Sequence, residues 1–159
     1  MTPPANVYPD SPRVAVGAVV FRQSRVLLVQ RRNPPARGTW AIPGGSVRLG
    51  ESLGQAAERE TREETGVIIR AGAPVYTFDV VERDARGAVR FHYVIVDLAA
   101  EYVSGAPRAG DDALDARWVS AAELDNLPVN TATRRLLRRR FGFSEEGKAP
   151  HEPRPRPLE

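Results

Sequence analysis

The stretch GSVRLGESLGQAAERETREETGV, from Gly45 to Val67, decides how the chain is read. It carries Glu51, Glu58, Glu60, Glu63 and Glu64. Ser52 followed by Gln55 forms a capping box, and Gly66 is a natural left-handed stop, so the spacing predicts a helix between them. On a wheel of about 100° per residue, Leu53, Ala56 and Ala57 share a stripe with Glu60, Glu63 and Glu64. Gln55, Glu58, Arg59 and Arg62 take the other side. An ordinary amphipathic helix would continue its apolar stripe with Leu or Val and turn its acids to water. Here the stripe that starts in the core ends in three carboxylates. Like charges at i,i+4 destabilise a helix, and desolvating them costs more unless something positive compensates. A hard divalent cation with oxygen ligands is one compensator. The pairs Arg59–Glu63 and Glu58–Arg62 are another, at about 0.3–0.5 kcal/mol each. They do not explain why acids replace the apolar stripe.

Outward from the helix, RVAVGAVVF (Arg13 to Phe21) and RVLLVQRR (Arg25 to Arg32) read as strands. NPPARG (Asn33 to Gly38) is a loop, and TWAIPGG (Thr39 to Gly45) is a short extended piece ending in a Gly-rich turn. PVYTFDVV (Pro74 to Val81) and VRFHYVIVDLAAEYV (Val89 to Val103) read as strands joined by a polar turn. DARWVSAAEL (Asp115 to Leu124) gives a strand and a helical turn capped by Ser120, and Asn130 to Phe143 gives a last helix. Strands flank one long helix and a second helix closes the chain, a pattern for a mixed sheet packed between helices.

The chain has 159 residues, 42% of them hydrophobic and 27% charged, which suits one ordinary domain. Residues 1–12 read as a flexible Pro-rich arm, 13–143 as the domain, and 144–159 as a disordered, Pro-rich charged tail. There is no cysteine, so disulfides and thiolate metal sites are excluded. No basic head precedes an apolar run at the N-terminus, and the longest apolar run is too short to cross a bilayer, so a soluble, cytoplasmic protein is expected. The net charge of +3 favours anionic small-molecule partners without requiring nucleic acid. The cluster RRLLRRR (Arg134 to Arg140) fits the C-terminal end of a helix dipole.

The acidic helix in its context resembles the Nudix hydrolase family. That family's signature is matched by Gly45, Glu51, Arg59, Glu60, Glu63, Glu64, Gly66 and Val67 at their spacing. Seven fixed identities at fixed spacing arise by chance on the order of once per hundred million positions. One position departs: Thr61 stands where an aliphatic residue is usual, and a β-branched Thr packs much like Val. The resemblance spans roughly Arg13 to Arg140 and implies a Nudix-type α/β/α sandwich with a mixed β-sheet between helices. It also implies a pyrophosphohydrolase assisted by Mg²⁺ or Mn²⁺.

Carried over residue by residue, the resemblance makes Glu60, Glu63, Glu64 and the Gly44 carbonyl metal ligands. Arg59 orients the carboxylates and Glu51 supports the helix entrance. Glu64 is the first choice of general base within this signature, the box. In AGDDALD, with Asp111, Asp112 and Asp115, the resemblance makes Asp112 a further acidic ligand; a turn aspartate bonded to its own backbone is the alternative. Arg32 and Arg37 are candidate phosphate clamps. Tyr76, Phe78 and His92, with Phe91 and Tyr93 behind them, are candidates for holding a base or ribose, against the alternative of core aromatics. ADP-ribose cleavage to AMP and ribose 5-phosphate is the expected reaction, on resemblance to the short bacterial ADP-ribose pyrophosphatase-like branch. Noncanonical or oxidised nucleoside triphosphates and dinucleoside polyphosphates are the alternatives on the same scaffold, and a nucleotide sensor that does not cut is the alternative of another class. Relatives that pair N-terminal strands make a homodimer the expected assembly.

Overall fold

The structure, a computed structural model, describes residues 7–33, 36–110 and 112–143. The tail read as disordered, the first half of the N-terminal arm and Asp111 lie outside the described residues. The elements run β1 (Arg13–Arg22), β2 (Arg25–Arg31), β3 (Trp40–Ala41), β4 (Gly44–Ser46), α1 (Leu53–Thr65), β5 (Ile68–Arg83), β6 (Val89–Ser104), β7 (Ala113–Ser120), α2 (Ala121–Leu124) and α3 (Thr131–Phe141).

The sheet is mixed. Its order is β3-β2-β1-β6-β5, with β4 paired to β1 and β7 to β2. β1 and β6 run parallel, and the other pairs are antiparallel. Alternation divides β1 between two cores. Val16, Ala18 and Val20 pack with Ala56 and Ala57 of α1 and with Leu27, Val67, Ile69 and Leu98. Val19 and Phe21 pack with Leu136, Leu137 and Phe141 of α3 and with Val26, Leu28, Trp40, Val119 and Phe143. One helix therefore covers each face, which is the three-layer arrangement expected from the sequence.

Local signals act where they were read. Ser52 accepts from the Gln55 N–H at 3.1 Å while the Gln55 side chain accepts from the Ser52 N–H at 3.0 Å. Gly66 ends α1 at φ 74°, a conformation that glycine adopts without strain. Ser120 makes the same kind of capping box for α2. Two expectations change. The Gly-rich piece after Thr39 is not a turn: Gly44, Gly45 and Ser46 pair with Gly17, Val16 and Ala15 of β1. β5 starts at Ile68, six residues before Pro74, because register shifts around Ala71, Pro74 and Tyr76 let a proline enter the strand. In the segment read as a loose arm, Tyr8 donates its N–H to Arg90 O at 2.9 Å and its hydroxyl to Asp84 at 2.8 Å. Among the described residues, no helix is long and apolar enough to cross a membrane.

Candidate active site

Helix α1 is held at both ends by glycine-rich backbone. At its flank, a Cβ on Gly45 would stand 2.5 Å from the Glu60 carboxyl carbon, so only glycine lets that carboxylate lie against β4. At its C-terminus, Gly110 N–H donates to Glu64 O at 2.8 Å and Arg108 N–H to Thr65 O at 2.9 Å. A Cβ on Gly110 would strike the Glu63 carbonyl. The 105–112 loop thus caps the orphan carbonyls of α1 and delivers Asp112 next to the helix.

Arg59 corrects the wheel. It was placed with the solvent-facing residues, but its side chain is only 12% exposed. Its guanidinium donates to Glu51 at 2.7 and 2.9 Å, to Glu60 at 2.7 Å, to Glu63 at 3.2 Å and to Ser46 O at 3.1 Å. A long side chain folds back across its own helix where a planar fork can collect several carboxylates. The Arg59–Glu63 half of the ion-pair alternative is therefore present, inside a larger network. The Glu58–Arg62 half is replaced, because Glu58 accepts the Ala71 N–H at 3.0 Å. Glu51 is held down to about 2 by Arg59 and by the Arg48 N–H. Thr61 is fully buried, with its hydroxyl unbonded, as an aliphatic side chain would be.

The three box carboxylates are not equivalent. Glu63 is 43% exposed and lies between Arg59 and Arg48. Glu60 gives one oxygen, Oε1, to Arg59. Among the described residues, none forms an ion pair with Glu64. Burial first, and then the Glu60 charge, push it up to about 8, with Asp112 adding and the Gly44 N–H and the Arg31 charge opposing. Glu60, Glu64, Asp112 and Gly44 are thus brought together, and the contact made by Gly44 is through its N–H. Among the described residues, no three His, Cys, Asp or Glu side chains are already gathered as a metal cage. Arg59 engages Glu60 and Glu63, while Glu64 stays uncompensated. That donor set fits a hard divalent cation: oxygen ligands only, and a half-buried carboxylate whose charged form needs a positive partner.

The other candidates are divided. Arg32 is exposed, and its side chain donates to Ala113 O at 3.3 Å, so it ties β2 to the start of β7. Arg31, one residue earlier, is the arginine whose charge reaches Glu64, and the sequence reading missed it. Period-two alternation could not separate them, because the register with β7 shifts between Gln30 and Arg31. Arg37 is exposed in the loop before β3. Tyr76 and Phe78 pack ring to ring at 5.5 Å. Their partners Asp97 and Ile95 put them on the α3 face with Tyr93, and His92, next along β6, points to the α1 face. The aromatic set therefore does not form one surface. Phe91 is buried. In the late arginine cluster, Arg134 and Arg138 reach Asp125 at 3.3 and 2.9 Å, and Arg140 lies 5.9 Å over the Tyr76 ring.

The NUDIX domain family model matches residues 11–140. An ADP-ribose pyrophosphatase from Methanocaldococcus jannaschii is 35% identical over 117 residues, covering 74% of this chain. The chain spans 65% of the length of that relative. A MutT NUDIX hydrolase from Burkholderia pseudomallei shares the fold with a TM-score of 0.68 at 31% identity, covering 79% of this chain and 95% of that one. The NUDIX domain of Shewanella oneidensis NrtR, solved in complex with ADP ribose, gives a TM-score of 0.63 at 29% identity over 81% of this chain and 86% of that one. With the signature carried on α1 and the α/β/α layers around it, the chain belongs to the Nudix hydrolase family.

Proposed function

We propose that the protein is a divalent-metal-dependent pyrophosphohydrolase that cleaves a nucleoside diphosphate linked to a second group, with ADP-ribose as substrate and AMP and ribose 5-phosphate as products. The observation that carries this reading is Glu64: a half-buried carboxylate beside Glu60 and Asp112 with no ion-pair partner among the described residues. Such a site attracts a dication together with the anionic group it bridges. The likeness to an ADP-ribose pyrophosphatase supports the substrate.

Glu60, Glu63, Glu64 and Asp112 are the side chains that would hold Mg²⁺ or Mn²⁺, with the Gly44 backbone beside them. When bound, the ion supplies charge neutralisation for the pyrophosphate and a lowered pKa for an attacking water. Arg59 fixes Glu60 and Glu63 in place and keeps Glu51 ionised. Glu64 is the carboxylate of this set that would take a proton from the attacking water. Arg31 adds positive charge near Glu64. Phosphoryl transfer needs mainly this positioning and compensation.

The test is a product-release panel with Mg²⁺ across ADP-ribose, NADH, diadenosine polyphosphates, and normal and oxidised nucleoside triphosphates. Preference for ADP-ribose by tenfold or more is the expected result. Preference for triphosphates would discard the nucleotide-sugar assignment while keeping the metal helix. Silence across the panel with metal bound would favour a sensor.

A further inference from the structure

Asp97 interrupts the apolar run YVIVDLAA (Tyr93 to Ala100) in the middle of β6. It is 4% exposed, and no described residue donates a hydrogen bond to it or pairs with it. Desolvation alone pushes its carboxyl up to about 6. A buried carboxylate without donors is costly, and native proteins keep such groups where a ligand or water completes them. Nothing in the box chemistry uses it.

The register fixes its surroundings. Across β1 its neighbour is Gly17, and a Cβ there would strike Asp97 Oδ1, so the carboxylate occupies space that the glycine leaves free. Across β5 its neighbour is Tyr76, whose ring packs on Phe78 at 5.5 Å. Ile42 closes the side toward β4. An acceptor-only group therefore sits beside an aromatic surface. Gly17 also pairs with Gly44, whose N–H donates to Glu64. One strand pair thus links the Asp97 neighbourhood to the phosphate chemistry.

We propose that Asp97 is a specificity-determining residue, accepting hydrogen bonds from the amino group of a purine that stacks on the Tyr76–Phe78 pair. The proposal rests on the nucleotide-hydrolase reading and extends it to the base. An ionised carboxylate only accepts. Adenine and guanine each present an amino donor, whereas unsubstituted purine presents neither an amino group nor an N1–H. A site built to bond a donor rejects the analogue that lacks it, because the buried acceptor is left unpaired.

The experiment is calorimetric binding of AMP, GMP and purine riboside 5′-monophosphate to the full chain in EDTA, with ribose 5-phosphate as the base-free control. AMP or GMP should bind at least about tenfold more tightly than purine riboside 5′-monophosphate. In Asp97→Ala, which removes both acceptor oxygens and adds no donor, that discrimination should vanish while the chain still melts cooperatively. Equal affinity for all three nucleotides, no binding by any of them, or discrimination that survives in Asp97→Ala would overturn the proposal. If Asp97→Ala fails to fold, the wild-type comparison decides alone. No metal and no turnover enter the measurement, so a silent substrate panel and a failed base preference are separate results.

Discussion

Arg59 reaches Glu51, Glu60, Glu63 and the Ser46 carbonyl from a position 12% exposed. Its replacement by Ala leaves several partly buried carboxylates facing one another, and should cost about 1–3 kcal/mol of stability by thermal or urea denaturation. Lys in its place can fill one branch of the fork and should recover part of that loss. Glu64→Gln should act in the opposite way on stability. It keeps an acceptor for the Gly44 N–H and removes a charge that burial disfavours, so it should melt no lower than wild type at pH 8 in EDTA. Its turnover should fall by about a hundredfold or more, as expected for loss of a base and metal ligand. The identities of these residues were legible in the sequence because the signature is spaced along one helix. The inward turn of Arg59 was not: a helical wheel gives the direction of a Cβ, and a long side chain can double back from it. Asp97 carried a visible signal, a lone acid inside an apolar strand, but its neighbours are set by the pairing of β6 with β1 and β5.

At the scale of elements, the site depends on close approaches that only glycine permits. Gly45 lets Glu60 lie on β4, and Gly110 lets the 105–112 loop seat on the end of α1. Gly110→Ala would drive a methyl group into the Glu63 carbonyl and shift the loop that carries Asp112. It should cost about 1–3 kcal/mol and weaken Mg²⁺ affinity measured by calorimetry, whereas Gly87→Ala, strained at φ 84° but in open space away from α1, should leave Mg²⁺ affinity unchanged. The boundaries of α1 were legible because its capping box and left-handed stop are local. The pairing of Gly44 and Gly45 with β1 was not, because a Gly-rich stretch reads as a turn until a partner strand is in place. The choice between Arg31 and Arg32 was hidden for the same reason: facing is set by pairing with β7, whose register shifts at that point.

For the whole molecule, the account makes stability depend on pH and metal together. Glu64 and Asp97 hold protons more tightly folded than unfolded, with pKa raised to about 8 and about 6. In EDTA, stability should therefore fall as pH rises from the ordinary carboxylate range toward 8. Glu51, lowered to about 2, contributes the opposite trend, but only at acid pH: its stabilisation is present above about 4.5 and is lost as pH falls toward 2. Melting curves from pH 5 to 8.5 should show a decline in EDTA that Mg²⁺ reverses at the alkaline end; a decline that metal leaves untouched would separate Glu64 from metal binding. The three-layer fold was legible because β1 alternates between two apolar faces, and a period of two needs a helix over each side to bury both.

The central claim is that the carboxylates of α1 make a metal-dependent phosphoryl-transfer site. The most direct measurement is chromatographic detection of AMP from ADP-ribose by wild type and Glu64→Gln, each with Mg²⁺ and with EDTA. The account predicts AMP only from wild type with Mg²⁺, with Glu64→Gln reduced by about a hundredfold or more. AMP formation that persists undiminished in EDTA, or in folded Glu64→Gln, would contradict it.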